Sequence, residues 1–226
     1  MAAPQTLAER VAARIRAEIV ARRLKPGDRL PGEIEHARRL GVSRGIVREG
    51  RRQLVAAGLI EVANGRRAVV SKLRGAPLDG FLANAVATRQ LALDEVLELR
   101  RAIEIAVAGL AARRRTAADV AALTRLAGLM RATVGRTVYL RHDLGFHLAL
   151  ARATQNPLFL VLIESMRAPL AASMRASHAR RSSARNFAQA HAGHEAILAA
   201  VAAGDGPGAE RAMRAHFADV AAALES

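Results

Sequence analysis

Asn64-Gly65 stands between two short apolar stretches, "LIEV" and "AVV". Asparagine and glycine tolerate the positive φ of a tight hairpin turn, so this dipeptide between apolar runs is a strong hairpin signal. What precedes it narrows the fold further. Leu7, Val11, Ile15 and Ile19 recur every four residues and predict a helix ending near Arg23. "LKPGDRLPGE" reads as a turn. Residues 33–40 predict a second helix that Gly41 ends, and Ser43 suits the N-cap of a third over 44–57, stopped by Gly58. Helix, helix, turn, helix and hairpin within about 70 residues spell a winged helix-turn-helix.

The third helix carries its own message. Val47 and Leu54 are seven apart and face a core, while Arg44, Arg48 and Arg52 share another face at four-residue spacing. A recognition helix lays such a face in the major groove, where arginine reads guanine bidentately or grips phosphate. A merely solvated charge face is the alternative, and the charge distribution disfavours it. Residues 1–75 hold 17 Lys and Arg against 7 Asp and Glu, while 76–226 hold 18 against 13, in a chain of net charge +15. Nucleic acid is the polyanion this bias favours. An anionic membrane surface fits less well, because no polybasic stretch flanks a strongly apolar helix.

Residues 71–80, "SKLRGAPLDG", read as a linker. Helical patterns then cover 94–115, 117–133, 137–154, a segment from Pro157, 184–203 and 207–224. The expected fold is mainly α: a winged helix-turn-helix over 1–74, a linker over 75–85 and an antiparallel helical bundle over 86–226. The chain has no cysteine, which excludes disulfides and thiol chemistry. It shows no apolar signal core and no apolar run near the roughly 18 residues of a membrane span, so a cytoplasmic protein without a membrane partner is expected.

"DRLPGEIEHARRLGVSRGIVREGRRQLVAAGLIEVANGRRAVV" resembles the DNA-binding domain of the GntR family of bacterial transcription regulators. "ELRRAIE" (98–104), "DLGFH" (143–147), "QNP" (155–157), "HEAIL" (194–198) and "MRAH" (213–216) resemble that family's FadR-type effector domain (FCD). The resemblance implies DNA contacts from Arg44 and Arg48, with Ser43 and Arg52 beside them, and a wing tip of Asn64, Gly65 and Arg66 in the minor groove. This sequence departs from the family pattern in several places. Ile34 replaces a usual arginine, Gly32 a usual N-cap, and "EGRRQL" the usual "EALRRL", which puts Arg51 at an apolar position. Arg51 there either grips phosphate or weakens packing.

Asp143 and His147, four apart, share a helix face and suit one ion. His194 and His216 lie on the last two long helices, which a bundle can bring to the same place. Taken singly, such histidines are more often structural. The resemblance implies that the aspartate and three histidines together hold a divalent ion, and imidazole-rich sites suit Zn²⁺ or Ni²⁺. His142, His178 and His191 fall outside the pattern. A small carboxylic or hydroxy acid would complete the ion's shell, with Arg100 and Asn156 as further contacts. The bland readings are an intrahelical Arg100–Glu104 pair and an Asn156 cap before Pro157. These signals together predict a ligand-responsive repressor that binds a palindromic operator as a homodimer. The rivals are a metal-dependent hydrolase, for which no carboxylate base at helical spacing is seen, and a purely architectural DNA binder.

Overall fold

The computed structural model describes residues 5–62, 67–133, 136–168, 171 and 184–225. Among these lie ten helices and one two-stranded antiparallel sheet, in two compact units, Met1–Pro77 and Leu78–Ser226.

The first unit holds α1 (Leu7–Ala21), α2 (Glu33–Leu40), α3 (Arg44–Ala56), β1 (Ile60–Glu61) and β2 (Val69–Val70). Local capping fixes the helix starts. Thr6 Oγ1 accepts the Glu9 N–H at 3.2 Å while Glu9 accepts the Thr6 N–H at 2.7 Å, and Ser43 Oγ accepts the Ile46 N–H at 3.3 Å. Gly41 ends α2 in the left-handed region at φ 66°. Gly32, at the N-cap of α2, supplies no side-chain bond. The predicted apolar stripe holds for Val11, Ile15 and Ile19, which pack with Leu30, Val47, Leu54, Ile60 and Val70, whereas Leu7 at its head is exposed. The hairpin pairs Ile60 with Val70, and Arg29 bridges to the other edge of β2. Part of the stretch read as a turn therefore lines the wing, with the Leu30 N–H donating to Ala68 O at 2.8 Å. The expected tip residues Asn64, Gly65 and Arg66 lie outside the described residues.

The second helical stretch begins where an irregular linker over 75–85 is expected: α4 runs from Ala76 to Ala87. Pro77 is tolerated in the first turn, where its missing N–H breaks no bond; Leu82 and Val86 pack, partly buried, against the bundle core, and Ala85 is buried. Then follow α5 (Leu93–Arg114), α6 (Ala117–Ala132), α7 (Arg136–Ala153), α8 (Pro157–Ser165), α9 (Ala184–Ala203) and α10 (Gly206–Glu225). Thr116 caps α6, and Asn156 caps α8 with Pro157 as its first residue. α5 packs on α7 and α10, and α9 packs on α5, α6 and α10. Ala108, Ala111 and Ala112 are fully buried and allow this close approach around Phe146, Leu150, Ile197 and Met213. Among the described residues no helix is long and apolar enough to cross a membrane.

Gly50 yields a prediction about the first unit. A Cβ there would lie 2.9 Å from both Ala8 O and Val11 Cγ1 on α1. Alanine gains about 1 kcal/mol in helix propensity over glycine, yet it must push α1 off α3. Gly50→Ala should therefore lower the thermal midpoint of unfolding; a raised midpoint contradicts this packing.

Candidate metal centre

Four helices aim polar side chains into one place in the bundle. α7 contributes Asp143 and His147, one turn apart; α9 contributes His194; α10 contributes His216; α5 contributes Arg100 and Glu104. All six are buried. One nitrogen from each of His147, His194 and His216 lies within 4.8 Å of the other two. Asp143 Oδ1 is 2.6 Å from His194 Nε2 and 3.9 Å from His147 Nε2. The rings of His194 and His216 are 4.5 Å apart between centroids, and Phe146 sets its edge against His194 at 5.1 Å. Gly193 leaves room for His216: a Cβ there would lie 3.2 Å from its Nδ1.

Glu104 organises the cluster from behind. Its Oε1 accepts from Arg100 Nε, and its Oε2 touches His147 Nδ1. That contact places the His147 proton on Nδ1 and turns the lone pair of Nε2 towards the other donors, as outer-shell carboxylates do for ligating histidines. Burial alone would raise the Glu104 carboxyl, but the Arg100 charge and the His147 contact outweigh it and hold it down at about 2. Burial likewise opposes ionisation of Asp143, and His194, followed by His147 and His216, more than offsets it and keeps the group well below the ordinary range. Burial pushes His216 far down, and the charges of His194 and His147 add to this, so its imidazole is neutral. His147 Nε2 and His216 Nδ1 are buried and make no hydrogen bond among the described residues.

The neutral His216 imidazole and the buried Nε2 of His147, beside the ionised Asp143 carboxylate, are a donor set that fits a divalent cation. The residues singled out in the sequence, Asp143, His147, His194 and His216, are thus brought together. His191 sits outside, between Arg131 Nε at 3.2 Å and Glu195 at 3.1 Å. Arg100 makes the intrahelical pair with Glu104, and its guanidinium also lies 5.2 Å from the Phe217 ring centroid. Its Nη2 is buried and makes no hydrogen bond among the described residues. Asn156 is engaged as a cap, its Oδ1 accepting the Leu158 N–H at 3.0 Å. Glu104 is the residue that sequence reasoning missed as part of the site. Its signals were the four-residue spacing from Arg100 and its place at the end of the "ELRRAIE" stretch.

The arginine face of α3 is presented as its periodicity predicts. Arg44, Arg48 and Arg52 are exposed; Arg48 pairs with Glu33 at 3.4 Å and Arg52 with Glu49 at 3.1 Å. Arg51 follows neither expectation. It is buried and bonds inward to Pro31 O and His36.

Comparison with known proteins gives a family match for each unit. A family model described as bacterial regulatory proteins, gntR family, matches residues 7–70, and one described as the FCD domain matches 95–219. The chain is 34% identical over 203 residues to the HTH-type transcriptional regulator LutR of Bacillus subtilis (strain 168), covering 87% of this chain and 91% of that protein. It is 28% identical to the galactonate operon transcriptional repressor of Escherichia coli (strain K12), covering 90% of each. A solved structure, Streptococcus agalactiae GntR, superposes with a TM-score of 0.70 at 26% identity, covering 94% of this chain and 98% of that one. The matched families and relatives are transcription regulators rather than enzymes, so the hydrolase reading is set aside.

The Glu104 contact makes a prediction. Glu104→Gln should weaken Zn²⁺ or Ni²⁺ binding about 10- to 100-fold in a chelator competition, the range for loss of an outer-shell partner. It should also lower stability by about 3–5 kcal/mol, because the Arg100 charge is left buried without its carboxylate. Unchanged metal affinity contradicts the role given to Glu104.

Proposed function

This chain belongs to the gntR family of bacterial regulatory proteins and carries an FCD domain, and from that membership we propose a metal-dependent sensor of small organic acids that releases operator DNA when the acid binds. The observation that carries the reading is the buried convergence of His147, His194 and His216 beside Asp143. Three imidazoles and one carboxylate leave positions open on an octahedral ion, and Zn²⁺ or Ni²⁺ suits so imidazole-rich a set. A bound ion supplies a Lewis-acidic centre for an acid's carboxylate. The protein supplies the rest of the recognition: Arg100 Nη2, buried without a hydrogen-bond partner among the described residues, is a charge-assisted donor for a carboxylate oxygen. A 2-hydroxy acid offers a second oxygen for the ion. The relative named for a galactonate operon supports this class, since galactonate is a hydroxy acid. Asn156, committed to its cap, plays the smaller part.

In the first unit, Arg44 and Arg48 read the major groove from α3, with Ser43 and Arg52 flanking and the wing tip Asn64, Gly65 and Arg66 in the minor groove. Two copies of the chain read a palindromic operator, since one winged domain contacts too few bases for selectivity on a genome. The acid lowers operator affinity, and by linkage the operator lowers acid affinity by the same factor.

Two measurements test this reading. Arg44→Ala and Arg48→Ala should each cost about 1–3 kcal/mol of operator binding, the size of one lost bidentate contact. Retained affinity in both removes α3 from the DNA interface. His147→Ala and His194→Ala should lose metal by elemental analysis and no longer release operator on addition of 2-hydroxy acids. If both variants hold wild-type metal and still respond, the site is elsewhere.

A further inference from the structure

The buried Arg51 raises a question that DNA contact does not answer. An arginine only 6% exposed is costly unless its donors are satisfied. Among the described residues no carboxylate bonds to it, and its Nε is buried without a hydrogen bond. Its Nη2 donates to Pro31 O, in the segment leading into α2, and to His36 Nδ1 at 2.9 Å. Arginine has no acceptor, so His36 Nδ1 must carry a lone pair. The His36 proton then resides on Nε2, which donates to Glu18 Oε2 on α1 at 3.1 Å. Glu18 is held in turn by Arg22 at 2.8 Å and Arg39 at 3.2 Å. The chain Glu18–His36–Arg51 therefore crosses all three helices of the winged domain. It ends at the Pro31 carbonyl, two residues before Glu33, the partner of Arg48. Arg51 also lines an open surface cleft of about 680 Å³ together with Arg38, Arg44 and Arg67.

We propose that His36 is a positioning residue of the recognition helix: as a neutral acceptor it lets Arg51 clamp the start of α2 onto α3 in the DNA-reading geometry, and proton uptake by His36 undoes the clamp and weakens operator binding. The proposal rests on α3 being the DNA-reading helix.

Protonation puts an N–H on Nδ1 where Arg51 already donates, so two donors of like charge meet at hydrogen-bond distance. The charged groups that act on the imidazole are Glu18 from α1, Arg39 from α2 and Arg51 from α3; Arg22 from α1 shares Glu18, and Glu33 from α2 acts on Arg51. Burial pushes the imidazolium down; Glu18 opposes this, while Arg51 and Arg39 reinforce it. Glu18 is a limited counterweight, since it is shared among Arg22, His36 and Arg39. The sign follows. Because His36 is already below its ordinary value in the folded protein, operator affinity is fully kept at neutral pH and is lost as pH falls through that lowered value.

The test uses the full chain and a duplex selected from random-sequence DNA by the wild-type protein. Operator affinity is measured by fluorescence anisotropy from about pH 7.5 to about 5.5, which brackets the ordinary histidine range. Wild-type affinity should fall with acid, with a His36-dependent slope approaching about one decade per pH unit, the limit for one linked proton. His36→Gln, which accepts from Arg51 and donates to Glu18 without titrating, should keep neutral-pH affinity and lose that part of the slope. His36→Leu combined with Arg51→Leu removes the clamp and should bind DNA more weakly, with the same flattened profile. Histidines of the second unit are unchanged in all three proteins, so the difference belongs to His36. Equal slopes in wild type and His36→Gln overturn the proposal. Should the variants fold poorly, nitrogen-15 NMR of wild-type His36 decides: a neutral ring protonated on Nε2 at neutral pH supports it, and a cation or the opposite tautomer overturns it. Wild-type binding by Arg44→Ala and Arg48→Ala defeats the DNA-reading assignment of α3; lost binding there with an unchanged His36→Gln slope defeats the positioning role alone.

Discussion

Two ionised carboxylates inside a helical bundle set the terms for the second unit. Glu104 and Asp143 are almost wholly buried, where water would no longer stabilise their charge. Each stays ionised because cationic or proton-donating groups surround it: Arg100 and His147 for Glu104, His194 and His147 for Asp143. These partners come from α5, α7 and α9, so the helices can close only in the arrangement that brings the charges together. The same arrangement strips the nearby imidazoles of water and leaves lone pairs of His147 and His216 without a hydrogen-bond donor among the described residues. A core built this way gives up apolar packing for a polar cluster.

Much of the architecture was legible because caps and breakers act locally. Ser43, Thr116, Gly41 and the Asn156-Pro157 pair each mark a helix end through bonds to residues two to four positions away. α4 was not legible, since Pro77 and Gly80 read as linker punctuation, whereas in the fold Leu82 and Val86 pack against the bundle core. The bridge from Arg29 to β2 was missed for the same reason, because its partner is some forty positions away. At the candidate centre, spacing showed only that Asp143 and His147 share a face. The resemblance to a known family brought in His194 and His216. Glu104 escaped because its second oxygen acts across helices, on His147, where no sequence period points.

The winged domain shows how a departure from a family pattern becomes intelligible. Arg51 at an apolar position reads as a defect when its helix is considered alone. In the folded domain it meets His36, fifteen positions earlier on α2, and His36 meets Glu18 on α1. A polar chain thus occupies part of the interface that apolar side chains would otherwise fill, and it leaves Arg44, Arg48 and Arg52 exposed on the remaining face of α3. Each unit thus buries a histidine between charged partners: His36 between Glu18 and Arg51, and His147 between Glu104 and Asp143.

The central claim is that an acid completes the shell of an ion held by the bundle. Metal-edge X-ray absorption on purified, metal-analysed protein tests it most directly. For a zinc-loaded sample the account predicts imidazole nitrogens at about 2.0–2.1 Å from three histidines with oxygen from Asp143, and an altered oxygen shell once a 2-hydroxy acid is added. An acid that binds the protein while leaving the metal spectrum unchanged, or a metal shell without histidine scattering, would contradict it.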